Sequence, residues 1–214
     1  MTSRADFHTH TNASDGRLTP GDLVRLAVSR NLEILAVTDH DSTEGVAEAL
    51  AVAGEHPGFT LVPGIEMSTD IPGDEIHVLG YFLNYQDPEF QATLTGLRTA
   101  RRDRGRMMVE KLHGMGIDIP WERVEELAGD GSVGRPHVAQ ALVDLGCVST
   151  FQQAFERYIG RNGPAYVGRA KLTPVEAIAM LAKAGALPAL AHPASLSNLD
   201  DLLVQLKVAG MVGV

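Results

Sequence analysis

Short apolar runs that end on histidine or acid mark out the front half of the chain. Ala5 to Phe7 reads as a strand running into His8. Glu33 to Val37 reads as a second, ending in Thr38-Asp39-His40, and Phe59 to Val62 as a third, running into Pro63-Gly64-Ile65-Glu66. Ile76 to Phe82 is a fourth and carries His77. Between the first two, Thr19 fits a helix N-cap and Pro20 the first helical position, with Leu23, Leu26 and Ala27 as the apolar face. Thr43 to Ala53 is a second helix, closed by Gly54. Strand, helix and strand at this spacing predict parallel βα units.

The pattern changes in the middle. From about Leu97 to Ile159 only helical signals occur: Arg98 to Met115, Trp121 to Leu127, Pro136 to Leu145 and Thr150 to Ile159, separated by glycines. This predicts a small helical insertion, residues 97–164, in a βα scaffold made of residues 1–96 and 165–214. The βα pattern then returns. Thr173-Pro174 opens a helix with Glu176 completing a capping box. Ala186 to Ala191 is a strand ending at His192-Pro193, Leu199 to Val208 is a helix, and Met211 to Val214 reads as the start of another strand.

Composition narrows the classes. Hydrophobic residues make up 44% and charged residues 21% of the 214, which suits a globular core and excludes a disordered or coiled-coil chain. A formal net charge of −9 argues against a broad DNA-binding surface, so a polyanionic substrate needs metal ions or a local basic patch. The single cysteine, Cys147, excludes a disulfide framework and a cysteine-based zinc site, and is expected to be a buried thiol. No apolar run is long enough to span a membrane. With no leader pattern at Met1, the expected location is cytoplasmic.

The candidate chemistry lies at strand ends. His8 and His10 alternate on a strand and so face the same way, which lets two imidazoles hold one ion. Asp15 follows on a Ser-Asp-Gly loop. In Asp39-His40-Asp41 either acid is placed to orient the His40 imidazole. Glu66 has two oxygens with which to bridge ions. Each residue alone has a plainer reading: a satisfied core histidine, a turn aspartate, a helix cap. Five histidines and three acids gathered at strand ends favour a shared metal site, because buried polar groups need partners. Gly134-Arg135-Pro136-His137 opens a helix, whose N-terminus with Arg135 suits a phosphate as well as it suits a simple cap. Arg98, Arg101, Arg102, Arg104 and Arg106 form the one basic stripe, read either as a solvated helix face or as a guide for short RNA.

Taken in order, His8-Thr9-His10, Asp15-Gly16, Thr38-Asp39-His40-Asp41, Pro63-Gly64-Ile65-Glu66, His77 and Ala191-His192-Pro193 resemble the successive motifs of the PHP (polymerase and histidinol phosphatase) family. The resemblance implies an α/β fold, a distorted (β/α)7 barrel with a small all-helical insertion, and a trinuclear site for manganese, zinc or iron. It assigns His8, His10 and Glu66 to one ion, Asp15 and His40 to a second, and Glu66, His77 and His192 to a third. The family barrel closes with a Ser-Asp-x-His segment that the sequence does not reach before Val214, so the expected barrel is incomplete at its C-terminus.

The branch implied is that of nucleotide phosphatases and 5′-end-directed ribonucleases, with a nucleotide or short RNA as partner. The expected reaction is metal-assisted hydrolysis of a phosphate ester, the ions lowering the pKa of water. Arg135, Arg169 and Lys171 would clamp substrate phosphates, His137 or His192 would help the leaving oxygen depart, and Asp39 would serve the catalytic group through His40. A non-catalytic metal-binding module is a further reading. An amidohydrolase also begins with His-x-His, but this sequence has no lysine at a strand end where that rival's bridging carbamate would sit.

Overall fold

The capping and alternation signals become real elements in the computed structural model, which describes residues 4–71, 74–129, 131–168, 172–196 and 199–214. Strands β1 (Ala5–Thr9), β2 (Ile34–Val37) and β3 (Thr60–Ile71) pair in parallel. Strands β4 (Asp74–Tyr81) and β5 (Leu187–Leu190) extend the sheet in the order β1-β2-β3-β4-β5 through two antiparallel pairings. Two reversals restore the direction, so β5 runs the same way as β1, β2 and β3. The C-terminal ends of β1, β2 and β5 therefore share one end of the sheet.

Helices α1 (Pro20–Ser29) and α2 (Val46–Ala53) cover the parallel strands. Val24 and Ala27 from α1 and Ala49, Val52 and Ala53 from α2 form one core with Leu35, Val37 and Leu61. Thr19 caps α1 by accepting from the Asp22 N–H. In α7 (Pro174–Lys183) the capping box is complete: Thr173 Oγ1 accepts from the Glu176 N–H, and Glu176 Oε2 accepts from the Thr173 N–H at 2.8 Å. Thr173→Ala is expected to cost about 1 kcal/mol. It should appear as a lower urea midpoint at unchanged slope.

Two expectations are revised. The sheet is mixed rather than parallel, with β4 antiparallel to both β3 and β5. β3 runs on past Val62, where the expected strand ends, through Pro63-Gly64 to Ile71, and pairs antiparallel with β4. The glycine is what permits this. A Cβ at Gly64 would lie 2.8 Å from Thr38 Cγ2 and 2.9 Å from the Val37 carbonyl oxygen. As a result Glu66 sits inside a strand, in register with His40 through an isolated parallel bridge. The segment Met211 to Val214 makes one bridge, Gly213 with Ala189, in place of the expected strand.

The chain divides into two compact units, Met1–Leu94 with Lys171–Val214, and Thr95–Ala170. The first also holds α8 (Leu199–Val208). The boundary falls within α3 (Pro88–Gly114), which starts at Pro88 rather than Arg98. The second unit adds α4 (Trp121–Ala128), α5 (Arg135–Asp144) and α6 (Phe151–Ala154), the last running into a π-helical turn at Phe155–Ile159. Its core includes Leu112, Ile119, Val124, Val138, Leu142 and Ile159. Cys147 is only half-buried against that core. Among the described residues, no helix is long and apolar enough to cross a membrane.

Candidate metal centre

Strand periodicity delivers the first ligand candidates. His8 lies on β1 and His10 one residue past its end, two positions apart and so on one face. His40 follows β2, where its neighbours grip Glu66: the Glu66 N–H donates to the Asp39 carbonyl at 3.1 Å, and the Glu66 carbonyl accepts from the Asp41 N–H at 3.0 Å. On β4, His77 stands opposite Ser68, which shares a face of β3 with Glu66. His192 leaves β5 with φ of 31°, in the left-handed region that histidine tolerates better than most side chains. That turn directs its ring back toward the sheet end.

The five rings close a circle around one carboxylate. Neighbouring ring centroids are 5.1 Å apart for His8 and His10, 4.7 Å for His10 and His40, and 5.0 Å for His40 and His77. They are 5.0 Å apart for His77 and His192 and 5.8 Å for His192 and His8. Inside, Glu66 Oε2 lies 3.0 Å from both His8 Nε2 and His10 Nε2 and 3.4 Å from His40 Nδ1. Glu66 Oε1 lies 2.8 Å from His77 Nδ1 and 3.1 Å from His192 Nε2. Glu66 itself is 1% exposed.

Asp15 adds a second carboxylate at one side, with Oδ1 3.2 Å from His10 Nδ1 and Oδ2 3.7 Å from His40 Nε2. Ligand atoms gather into three overlapping groups: His8, His10 and Glu66; His10, Asp15 and His40; and His40, Glu66 and His77. Sequence reading gave His10 to one group, and the geometry places it in two.

Asp39 does not orient His40. Successive residues leaving a strand point to opposite sides, and the Asp39 side chain turns toward the loop after β1. Its Oδ1 accepts from the Thr11 N–H at 2.7 Å and from the Ser14 hydroxyl at 2.6 Å, and its Oδ2 accepts from the Thr11 hydroxyl at 2.7 Å. Asp41 Oδ1 accepts from the Ser68 N–H at 3.0 Å. Thr11 and Ser14 escaped the sequence reading. They look like ordinary loop hydroxyls, and their partner is far away along the chain.

The donor set fits divalent ions. Carboxylate oxygens and imidazole nitrogens are the ligands that zinc, manganese and iron take. His77 Nδ1 and His192 Nε2 lie 3.2 Å apart and both face the same Glu66 oxygen, so a cation suits that point. Without metal, protonated imidazole supplies the positive charge, at His10 above all. Burial opposes the charged form of His10, but Asp15 and Glu66 outweigh it and push the imidazole up to about 10. Burial likewise opposes the Glu66 carboxylate, and the imidazoles of His10, His192, His77 and His8 more than reverse this, holding it far below the usual carboxylate range. Glu66 is also the main cause of the raised His192.

The signs follow from these shifts. The His10 contribution to metal-free stability is complete below its ordinary value of 6.5 and is lost as pH rises through about 10. The Glu66 contribution is present above 4.5 and is lost only in strong acid. An incoming ion must displace the imidazole protons. Zinc uptake is therefore expected to release protons and to weaken as pH falls through about 10, where His10 gains its proton. Calorimetry in buffers of different ionisation enthalpy checks this, and pH-independent uptake would contradict it.

The other sequence candidates belong elsewhere. In the second unit, Arg135 stacks its guanidinium over Phe155 at 5.5 Å. His137 is buried, and its Nδ1 accepts from the Gly134 N–H at 3.0 Å, capping α5. Arg169 and Lys171 lie outside the described residues. The basic stripe is not one solvated face. Arg104 is buried, donating to the Val167 carbonyl at 2.7 Å and stacking on Tyr166, while Arg102 pairs with Glu125.

Comparison with known proteins finds relatives along most of the chain. A 5′-3′ exoribonuclease of Haemophilus influenzae is 36% identical over 90% of this chain and 70% of its own length. The Escherichia coli 5′-3′ exoribonuclease Rnm is 35% identical over 88% of this chain and 64% of its own. A 3′,5′-nucleoside bisphosphate phosphatase of Chromobacterium violaceum is 30% identical over 98% and 75%. The chain thus spans about two thirds to three quarters of the length of these relatives. Among solved structures, a Chromobacterium violaceum protein described as an amidohydrolase with bound sulfate superposes with a TM-score of 0.92 at 30% identity, over 99% of this chain and 76% of that one. A protein of Bifidobacterium adolescentis described as a metal-dependent phosphoesterase gives 0.89 at 29% identity, over 100% and 77%. The PHP domain profile matches residues 6–119. With that match, those relatives and a ring of ligand candidates drawn from the motifs, the chain belongs to the PHP domain family.

Proposed function

We propose that this chain is a metal-dependent phosphoesterase that releases phosphate from nucleotides such as nucleoside 3′,5′-bisphosphates. The observation that carries the reading is the buried Glu66 carboxylate enclosed by five imidazoles, with Asp15 beside them. Divalent ions held there, Mn2+ first and Zn2+ or Fe2+ as alternatives, would neutralise phosphate charge and lower the pKa of water. Glu66 presents one oxygen to His8, His10 and His40 and the other to His77 and His192, so a single side chain serves both sides of the centre. Asp15 brings a second negative charge to the His10 and His40 side. His192 is the most exposed of the five, with 54% of its side chain open. Its Nε2 faces Glu66 and His77, which makes it a ligand in this reading and not the proton donor to the leaving oxygen. Arg135, Arg169 and Lys171 are proposed phosphate contacts on their sequence positions, with His137 supporting the α5 terminus at which Arg135 stands.

A second reading, a 5′-to-3′ exoribonuclease acting on short RNA, is favoured by the identity with the Haemophilus influenzae and Escherichia coli enzymes. Manganese-dependent phosphate release from adenosine 3′,5′-bisphosphate, compared with mononucleotide release from a short 5′-phosphorylated RNA, separates the two. The phosphatase reading expects faster turnover of the bisphosphate. Faster turnover of the RNA would replace it with the nuclease, and no turnover of either by metal-loaded protein would leave a non-catalytic metal module.

A further inference from the structure

We propose that Asp39 is a positioning residue for one corner of the metal centre, acting through Thr11 and Ser14 on the loop that presents Asp15 to His10 and His40. The inference rests on the metal-site reading and adds to it a residue that is not itself a ligand.

Asp39 is buried, as are Thr11 and Ser14, and among the described residues the three hydrogen bonds to its carboxylate come from those two. They are the residues from which the loop is built. The Thr11 carbonyl accepts from the N–H groups of Ser14 at 3.1 Å and Gly16 at 2.8 Å, and the Thr11 hydroxyl accepts from the Ala13 N–H at 3.1 Å. The Asp39 side chain thus ties the loop after β1 to the end of β2. The approach is close from the far side as well. A Cβ at Gly45 would come within 3.1 Å of Thr11 Oγ1 and 3.3 Å of Asp39 Oδ2.

Ser14 links this anchor to the ligand candidates. Its oxygen lies 3.4 Å from His10 Nδ1 and 3.3 Å from Asp15 Oδ1, against 2.6 Å from Asp39 Oδ1. A hydroxyl has one hydrogen, and the shorter contact takes it. The Ser14 oxygen is therefore fixed by Asp39 and stands as a wedge against the His10 and Asp15 side chains. Buried and fully engaged, Asp39 has no open edge for substrate. What it can do is hold Asp15 and His10 in place before an ion arrives, so that ion binding does not have to order the loop.

Zinc titrated calorimetrically into the metal-free 214-residue chain tests this, with Ser14→Ala, Thr11→Val, Asp39→Asn, the Ser14→Ala/Asp39→Asn double variant and Glu66→Gln compared with wild type. Each single variant of the anchor should weaken one binding step by roughly 10- to 100-fold. The other steps should change little, and metal-free Ser14→Ala, which loses one hydrogen bond to a buried carboxylate, should melt only modestly lower. The double variant should be no weaker than the weaker single, because the two act through one network. A drop in every step together with a lower melting temperature would mean a purely structural role and overturn the proposal. So would unchanged zinc binding in Ser14→Ala and Thr11→Val, even if Asp39→Asn fails to fold. If wild type binds zinc and Glu66→Gln does not, while the anchor variants match wild type, the metal reading stands and the positioning role falls. If wild type binds no zinc, both fall.

Discussion

Glu66→Gln should weaken divalent-ion binding by more than about 100-fold and remove phosphate release with it. Loss of a residue that only supports a ligand costs about 10- to 100-fold in metal affinity, and Glu66 touches all five rings. The amide nearly matches the carboxylate in shape, so the surrounding core keeps its volume. What changes is charge: one oxygen becomes an N–H donor facing imidazole nitrogens, and the buried negative charge shared by His8, His10, His40, His77 and His192 disappears. Histidine NMR gives an independent readout. Glu66 and Asp15 together raise the His10 imidazole to about 10, so with Glu66 neutral its titration should move back toward 6.5. A variant that keeps both its ions and the wild-type His10 titration would remove Glu66 from the centre.

Gly16→Ala should be nearly as damaging, although Gly16 offers no ligand atom. A Cβ there would lie 2.3 Å from the His10 carbonyl oxygen, 2.5 Å from the His10 carbonyl carbon and 2.7 Å from the Thr11 nitrogen. All three are backbone atoms and cannot swing aside, so the turn has to open. Opening it breaks the Gly16 N–H bond to the Thr11 carbonyl, 2.8 Å long, and moves Asp15 away from His10 and His40. Overpacking of this kind costs about 1–3 kcal/mol of stability. The affinity of the group containing Asp15 should fall by roughly 10- to 100-fold, as for other losses of ligand support. Denaturant unfolding and metal titration measure the two effects, and an unchanged metal titration would show that the turn does not set the position of Asp15.

The ligand candidates were legible because strand periodicity is local. His8 and His10 share a face for the same reason that any two alternate strand residues do, and the ordered motifs located His40, Glu66, His77 and His192. The course of β3 was not legible. The third strand reads as Phe59 to Val62, and whether it continues through Pro63-Gly64 depends on how closely Thr38 and Val37 of the neighbouring segment approach Gly64. Asp39 was found but given the wrong neighbour. Adjacency in sequence suggested His40, whereas the side chain leaves on the other side and meets Thr11 and Ser14. The basic stripe shows a similar limit. A run of arginines reveals spacing and charge, but not that Arg104 would be buried against the Val167 carbonyl while Arg102 pairs with Glu125. Local patterns located the ligand candidates, and contacts between distant segments decide what holds them.

The most direct test of the phosphoesterase reading is phosphate release from adenosine 3′,5′-bisphosphate by protein loaded with manganese, stripped with chelator, and loaded again. Release should disappear on stripping and return with the ion. Release that survives complete stripping, or none from fully loaded protein, would contradict it.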